Sequence, residues 1–156
     1  MFHVVLFQPE IPPNTGTIMR LCAASNTRLH LVGPLGFRLD AASLRRAGMD
    51  YQELADVQRW SDWSAYQEES PDNSRTFAIS THGKQIYSKS EFRPGDRFLF
   101  GSEGSGLPVP VLESFGDRVL RIPMAPEARS LNLAISVSIV LYEALRQNGF
   151  ANPDIS

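Results

Sequence analysis

Cysteine is almost missing from this chain. Cys22 stands alone in 156 residues, so no intrachain disulfide can form. That fits a reducing compartment, and a cytoplasmic protein is expected. His3, His30 and His82 lie far apart, and no cluster of Cys, His and carboxylate has metal-ligand spacing, so no metal is expected. Long hydrophobic runs are lacking too. The most apolar stretch, Leu131 to Leu145, is interrupted by Asn132, Ser136, Ser138 and Glu143. It falls short of the ~20 apolar residues of a spanning helix, so no membrane partner is expected. The start, Met1-Phe2-His3-Val4-Val5-Leu6-Phe7, has no basic flank and is too short for a signal peptide; it reads as a strand. Neither G-x-G-x-x-G nor a Walker sequence occurs, which excludes the two commonest phosphate-turn fingerprints. No repeat, low-complexity tract or linker divides the chain, so a single domain over 1–156 is expected.

What is present is first of all an ordinary globular composition, 42% hydrophobic and 21% charged. The formal charge of -2 argues against indiscriminate nucleic-acid binding, but the charge is unevenly spread. Residues 1–46 carry Arg20, Arg28, Arg38, Arg45 and Arg46 against Glu10 and Asp40, a balance of +3; residues 50–72 come to -6. Such asymmetry leaves room for a local anion site, although solvated helix faces would give the same pattern.

Strand-like and helix-like segments alternate. Strands are expected at Phe2–Phe7, Arg28–Val32, Tyr51–Leu54, Thr76–Ser80, Arg97–Phe100 and Val119–Ile122. Helices are expected from Asn14 as N-cap, from Asp40 through Ala47 with Gly48 behind it, over Asp62–Glu69, over Pro108–Phe115 and over Leu131–Gln147. The tail 151–156 reads as loose. The class is therefore α/β, a mostly parallel sheet flanked by helices. The last helix is apolar nearly all round, which calls for burial on every side, either in the core or in a subunit interface.

The segment Phe98-Leu99-Phe100-Gly101-Ser102-Glu103-Gly104-Ser105-Gly106-Leu107 carries the strongest functional signal. A buried strand runs into a glycine turn and then a helix start, the arrangement by which a parallel sheet offers backbone groups to a nucleotide-like ligand. Two further segments accompany it: Pro9-Glu10-Ile11-Pro12-Pro13-Asn14-Thr15-Gly16 through Arg20, and Ile122-Pro123-Met124 through Ser130-Leu131-Asn132. Taken singly, each residue has a plain structural reading. Asn14 and Ser130 are good N-caps, Gly16 permits close packing, Arg20 is an exposed helical arginine, and Tyr142 fits a core or an interface.

Together, the three segments resemble the motifs of the SPOUT superfamily of RNA methyltransferases, the class with a deep trefoil knot. They look most like its minimal 2′-O-ribose branch. The stretch Leu44-Arg45-Arg46-Ala47-Gly48-Met49-Asp50-Tyr51 is similar to the subgroup that methylates the wobble nucleotide, cytidine or uridine 34, of tRNA. The match covers nearly the whole chain in order. It departs from the common pattern at Ala134, where many relatives have serine, and in a longer loop at Asp72–Arg75. The resemblance implies a C-terminal knot, S-adenosyl-L-methionine as cofactor, the tRNA anticodon stem-loop as substrate, and a homodimer. It implies a catalytic group of Arg20, Asn14, Glu103 and Tyr142. It further implies cofactor contacts from Ile79, Gly101, Glu103, Gly106, Ile122, Met124, Ser130, Leu131 and Asn132, and RNA contacts from Arg20, Arg45 and Arg46. Two other readings stay open: the same 2′-O-methylation on another RNA, and a non-catalytic RNA-binding factor on this fold.

Overall fold

The described residues form one sheet of seven strands in which every pairing is parallel. The computed structural model describes residues 1–46, 56–70 and 74–151. Along the chain come β1 (His3–Phe7), α1 (Pro12–Ala24), β2 (Arg28–Val32), α2 (Ala41–Arg46), β3 (Val57–Trp60) and α3 (Trp63–Glu69). Then follow β4 (Thr76–Ile79), β5 (Gln85–Ile86), β6 (Arg97–Phe100), α4 (Val109–Phe115), β7 (Val119–Arg121) and α5 (Leu133–Gln147). The strands lie in the order β3-β2-β1-β6-β4-β7-β5. The expected strand Tyr51–Leu54, the Ala47-Gly48 helix end and the tail beyond Ala151 lie outside the described residues.

An all-parallel sheet is covered on both faces, and its central strands are correspondingly apolar. In β1, Val4 and Leu6 face a core built with Ile18, Met19 and Cys22 of α1 and with Val137, Val140 and Leu141 of α5. Val5 and Phe7 point the other way, into a second core with Tyr66 of α3 and with Val111, Leu112 and Phe115 of α4. The chain runs outward from β1 to β3, then returns past β6 to β4. Such a reversal opens a crevice at the carboxyl ends of the strands, where α/β proteins bind ligands.

Three sequence expectations change. Helix α1 starts at Pro12 with Ile11 as N-cap, so Asn14 lies inside the first turn instead of capping it. Pro12 and Pro13 fill positions whose N–H groups would have no helical partner in any case, which leaves the Asn14 side chain for other bonds. Asn132, not Ser130, caps α5; its Oδ1 accepts from the amides of Ala134 and Ile135 at 2.9 and 3.3 Å. Helix α5 is buried on one side only within the chain: Leu141 is fully buried, while Ile135 and Tyr142 are 53% and 46% exposed.

Two strands were invisible in the pattern. β3 has two adjacent exposed residues, Gln58 and Arg59, between half-buried Val57 and Trp60, and β5 has only two residues. β3 is fastened by side chains. The Trp60 Nε1–H donates to His30 Nδ1 at 3.2 Å, and His30 Nε2 meets His3 Nδ1 at 2.9 Å. Because the indole can only donate, His30 must carry its proton on Nε2 and give it to His3. Burial is the largest cause that lowers both imidazoles, His3 to about 4 and His30 to about 3; the charges of Arg97 and Arg28 act in the same direction.

Candidate active site

Three loops leave the carboxyl ends of β4, β6 and β7 and meet around one cleft of about 610 Å³. That is an ordinary size for a small-molecule site.

The loop after β6 is preformed. The Gly106 amide donates to the Ser102 carbonyl at 2.9 Å, and the Ser102 and Ser105 hydroxyls lie 2.9 Å apart. Gly101 must be glycine here, since a Cβ would lie 2.7 Å from the Gly106 Cα and closer still to the Gly106 carbonyl carbon and Leu107 nitrogen. Gly106 itself has φ +67°, the left-handed region that other residues rarely adopt. The loop after β4 is pinned to the neighbouring strand: Ser80 N donates to Leu120 O at 2.9 Å, and Gly83 N closes the turn onto Ser80 O at 3.1 Å. The loop after β7 runs through Ile122 and Met124, turns at Ala125–Ala128, and returns over Ser130 and Leu131 to the cap of α5.

Glu103 sits where these loops approach α1. Its Oε2 accepts from the Glu10 amide at 2.8 Å, and its Oε1 accepts from the Ile11 amide at 3.1 Å and from Asn14 Nδ2 at 3.3 Å. Asn14 Oδ1 in turn accepts from Asn132 Nδ2 at 2.9 Å. Residues from all three motif segments thus meet in one hydrogen-bonded chain, although 118 positions separate Asn14 from Asn132.

Of the residues singled out in the sequence, Asn14, Ile79, Gly101, Glu103, Gly106, Ile122, Met124, Ser130, Leu131 and Asn132 line the cleft. Arg20, Tyr142, Arg45 and Arg46 do not. Arg20 is exposed on α1, Tyr142 on α5, and Arg45 and Arg46 on the last turn of α2. The remainder of the Leu44–Tyr51 motif, from residue 47, lies outside the described residues. Sequence reading missed Ser80, Thr81, His82 and Arg129, which also line the cleft. The signal for Ser80, Thr81 and His82 was position just past a buried strand, and Arg129 stood inside the third motif segment without being singled out. Among the described residues, no group of three or more His, Cys, Asp or Glu side chains is placed to hold a metal ion. No helix there is long and apolar enough to cross a membrane.

Chemically, the cleft offers apolar walls at Ile79, Leu107 and Ile122, suited to a flat heterocycle, and exposed peptide groups along the glycine loop for polar atoms. Glu103 has its oxygens committed to three donors, so it holds loops together.

Comparison with known proteins points the same way. Residues 1–142 match the SpoU rRNA Methylase family. A tRNA (cytidine(34)-2'-O)-methyltransferase of Burkholderia ambifaria is 52% identical over 152 residues, covering 96% of this chain and 97% of that one. A solved structure concerned with 2-OH methylation of C/U34 on tRNA superposes with a TM-score of 0.89 at 45% identity, covering 96% and 97% of the two chains. An AdoMet-bound rRNA methyltransferase from Sinorhizobium meliloti superposes with a TM-score of 0.78 at 30% identity; 93% of this chain matches 56% of that larger one.

Proposed function

The chain belongs to the SpoU rRNA methylase family, and from that premise we propose that it methylates the ribose 2′-oxygen of the wobble pyrimidine, cytidine or uridine 34, in the tRNA anticodon loop. It is an S-adenosylmethionine-dependent RNA methyltransferase. The observation that carries this reading is the convergence of the three motif segments on one preformed cleft in a chain that matches wobble-position tRNA methyltransferases over nearly its full length.

The residues present fit the cofactor. Ile79 and Ile122 can sandwich an adenine, and the loop of Gly101, Glu103 and Gly106 presents its backbone. Met124, Ser130, Leu131 and Asn132 border the remaining space, where a methionine moiety would lie. When bound, the cofactor supplies an electrophilic methyl group on a sulfonium, chemistry that asks for no metal.

Arg20 is assigned the role of orienting an RNA phosphate bidentately and stabilising the 2′-alkoxide as it develops. It is unsuited to be the base, because a guanidinium offers five N–H donors and no acceptor. A wobble nucleotide is a sensible target, since it lies in a single-stranded loop whose base can be splayed and whose 2′-hydroxyl can be reached. Arg45 and Arg46 are assigned to backbone phosphates.

The working unit is a homodimer. Arg20 and Tyr142 lie outside the cleft of their own chain, and Ile135 and Tyr142 leave apolar surface uncovered on α5. Both facts favour a composite site in which a second copy completes the first. The single domain, the C-terminal knot and a cytoplasmic location belong to the same reading.

The test is ribose-methylation mapping of total tRNA from cells with and without the gene. Loss of 2′-O-methylation at position 34 alone is expected. Loss on ribosomal RNA or at another tRNA position would move the activity to another RNA. An unchanged map together with no cofactor binding would favour a non-catalytic binding factor.

A further inference from the structure

The chain of bonds from Glu103 to α5 has a direction. Read from one end, a carboxylate, which can only accept, takes a hydrogen from Asn14 Nδ2. The Asn14 carbonyl oxygen takes one from Asn132 Nδ2. The Asn132 carbonyl oxygen takes two from the first amides of α5, which can only donate. Both ends are therefore fixed by chemistry, and neither amide can flip without placing oxygen against oxygen or N–H against N–H. The polarity also suits the field, with an anion at one end and the positive end of a helix at the other.

We propose that Glu103, Asn14 and Asn132 form a directional hydrogen-bond relay that fixes α1, and with it Arg20, to the cleft loops of its own chain, which sets the place of Arg20 in the composite dimer site, and that all three are positioning residues. This rests on the methyltransferase reading above. Asn14 lies in the first turn of the helix that carries Arg20. Glu103 lies in the loop after β6, and Asn132 closes the loop after β7. The amides of Glu10 and Ile11 complete the clamp on the loop that leads into α1. Both carboxylate oxygens of Glu103 and both polar ends of Asn14 and Asn132 are taken up in this chain of bonds, which ties the three side chains to the scaffold. Their contribution to the reaction is geometric, and small displacements of a positioned group are costly in rate.

Direction gives the test. Asn132→Asp keeps the cap, because a carboxylate also accepts from the Ala134 and Ile135 amides, but it turns the donor facing Asn14 into an acceptor. A flip of Asn14 repairs that contact only by aiming its oxygen at Glu103. Adding Glu103→Gln removes the clash at Asn14, although its NH2 then stands where Oε1 accepted from the Ile11 amide, so that one bond is given up and the rescue is partial. The relay then runs backwards, from the side-chain amide introduced at position 103 through a flipped Asn14 to the carboxylate at position 132, and the net charge is restored.

The experiment compares native protein, the two single variants and the double variant in methyl transfer, in cofactor affinity by calorimetry and in denaturant unfolding. Asn132→Asp is expected to lower kcat at least about tenfold in protein that stays folded under the assay conditions, with its unfolding midpoint lowered. The double variant is expected to regain at least about fivefold over Asn132→Asp, a non-additive result that a merely structural role would not give. Native turnover in Asn132→Asp, or a double variant no better than the product of the singles, would overturn the relay. If the native protein transferred no methyl group at all, the functional reading would fail on its own. The unfolding cycle would then decide the relay: favourable coupling between the two substitutions supports it, and strict additivity overturns it.

Discussion

Lowering the pH from 7.5 to 5 should destabilise this protein through two histidines far from the cleft chemistry. His30 is buried, donates to His3 and accepts from Trp60, so each imidazole has its acceptor nitrogen occupied. A second proton on either ring must break one of those bonds and place two donors face to face. The charges around the pair, Arg97 and Arg28 for both rings and the N-terminal amine for His3, are all positive, and they add to the effect of burial. The folded values lie near 4 and 3, below the unfolded value of 6.5, so the unfolded chain binds more protons throughout that interval. Stability from the pair is then complete above pH 6.5 and is lost as pH falls toward the folded values. At pH 5 the unfolded His30 is protonated and the folded one is not, which removes about 2 kcal/mol. His3, partly exposed, adds a smaller amount. Most carboxylates remain ionised at pH 5, so the window isolates the imidazoles. Denaturant unfolding at several pH values should show this loss, and His30→Phe should flatten the slope although it is less stable at every pH. A flat native profile between pH 7.5 and 5, or an unchanged slope in the variant, would refute the reasoning.

Further outcomes can be stated from the site and its surroundings. Gly101→Ala pushes a Cβ into the Gly106–Leu107 backbone, so the loop must open; calorimetry should show cofactor affinity falling at least about a hundredfold, in line with an overpacking cost near ~3 kcal/mol. Arg20→Ala should cost ~2–4 kcal/mol in kcat/KM with little change in cofactor Kd, as for one lost electrostatic donor, and turnover within threefold or so of native would deny it a catalytic role. Ile135→Glu should leave the fold intact, because the residue is 53% exposed, yet yield an inactive monomer in sedimentation; an active monomer would rule out the composite site.

Much of the architecture was readable because strong local signals agreed. Arg28–Val32 and Arg97–Phe100 are strands with the bounds their residues indicate, since each is a short apolar run ending at a glycine. The helix over Trp63–Glu69 starts where Asp62 signals it, and the Asp62 carboxylate accepts from the Ala65 amide at 2.9 Å. The edge strands were illegible for a physical reason. β3 is held by Trp60 on His30 and by pairing with β2, contacts that leave no period in the sequence, and β5 is too short for one. The caps of α1 and α5 misled because Asn14 and Asn132 bond to partners distant in sequence. Asn132 combines a local role with a distant one, and only the tertiary structure shows that Asn14 belongs wholly to the latter. For the site, residue types and spacing marked the loops around the cleft. Position after β4, which carries no motif, was what marked Ser80, Thr81 and His82.

The central claim, methyl transfer to the 2′-oxygen of nucleotide 34, is tested most directly with two otherwise identical tRNAs. One carries ribose at position 34 and the other 2′-deoxyribose. Purified protein and labelled S-adenosylmethionine should place one methyl group on the first, recovered as a 2′-O-methylated pyrimidine at 34, and none on the second. Label entering the deoxy-substituted tRNA, or appearing at any other nucleotide, would contradict the account.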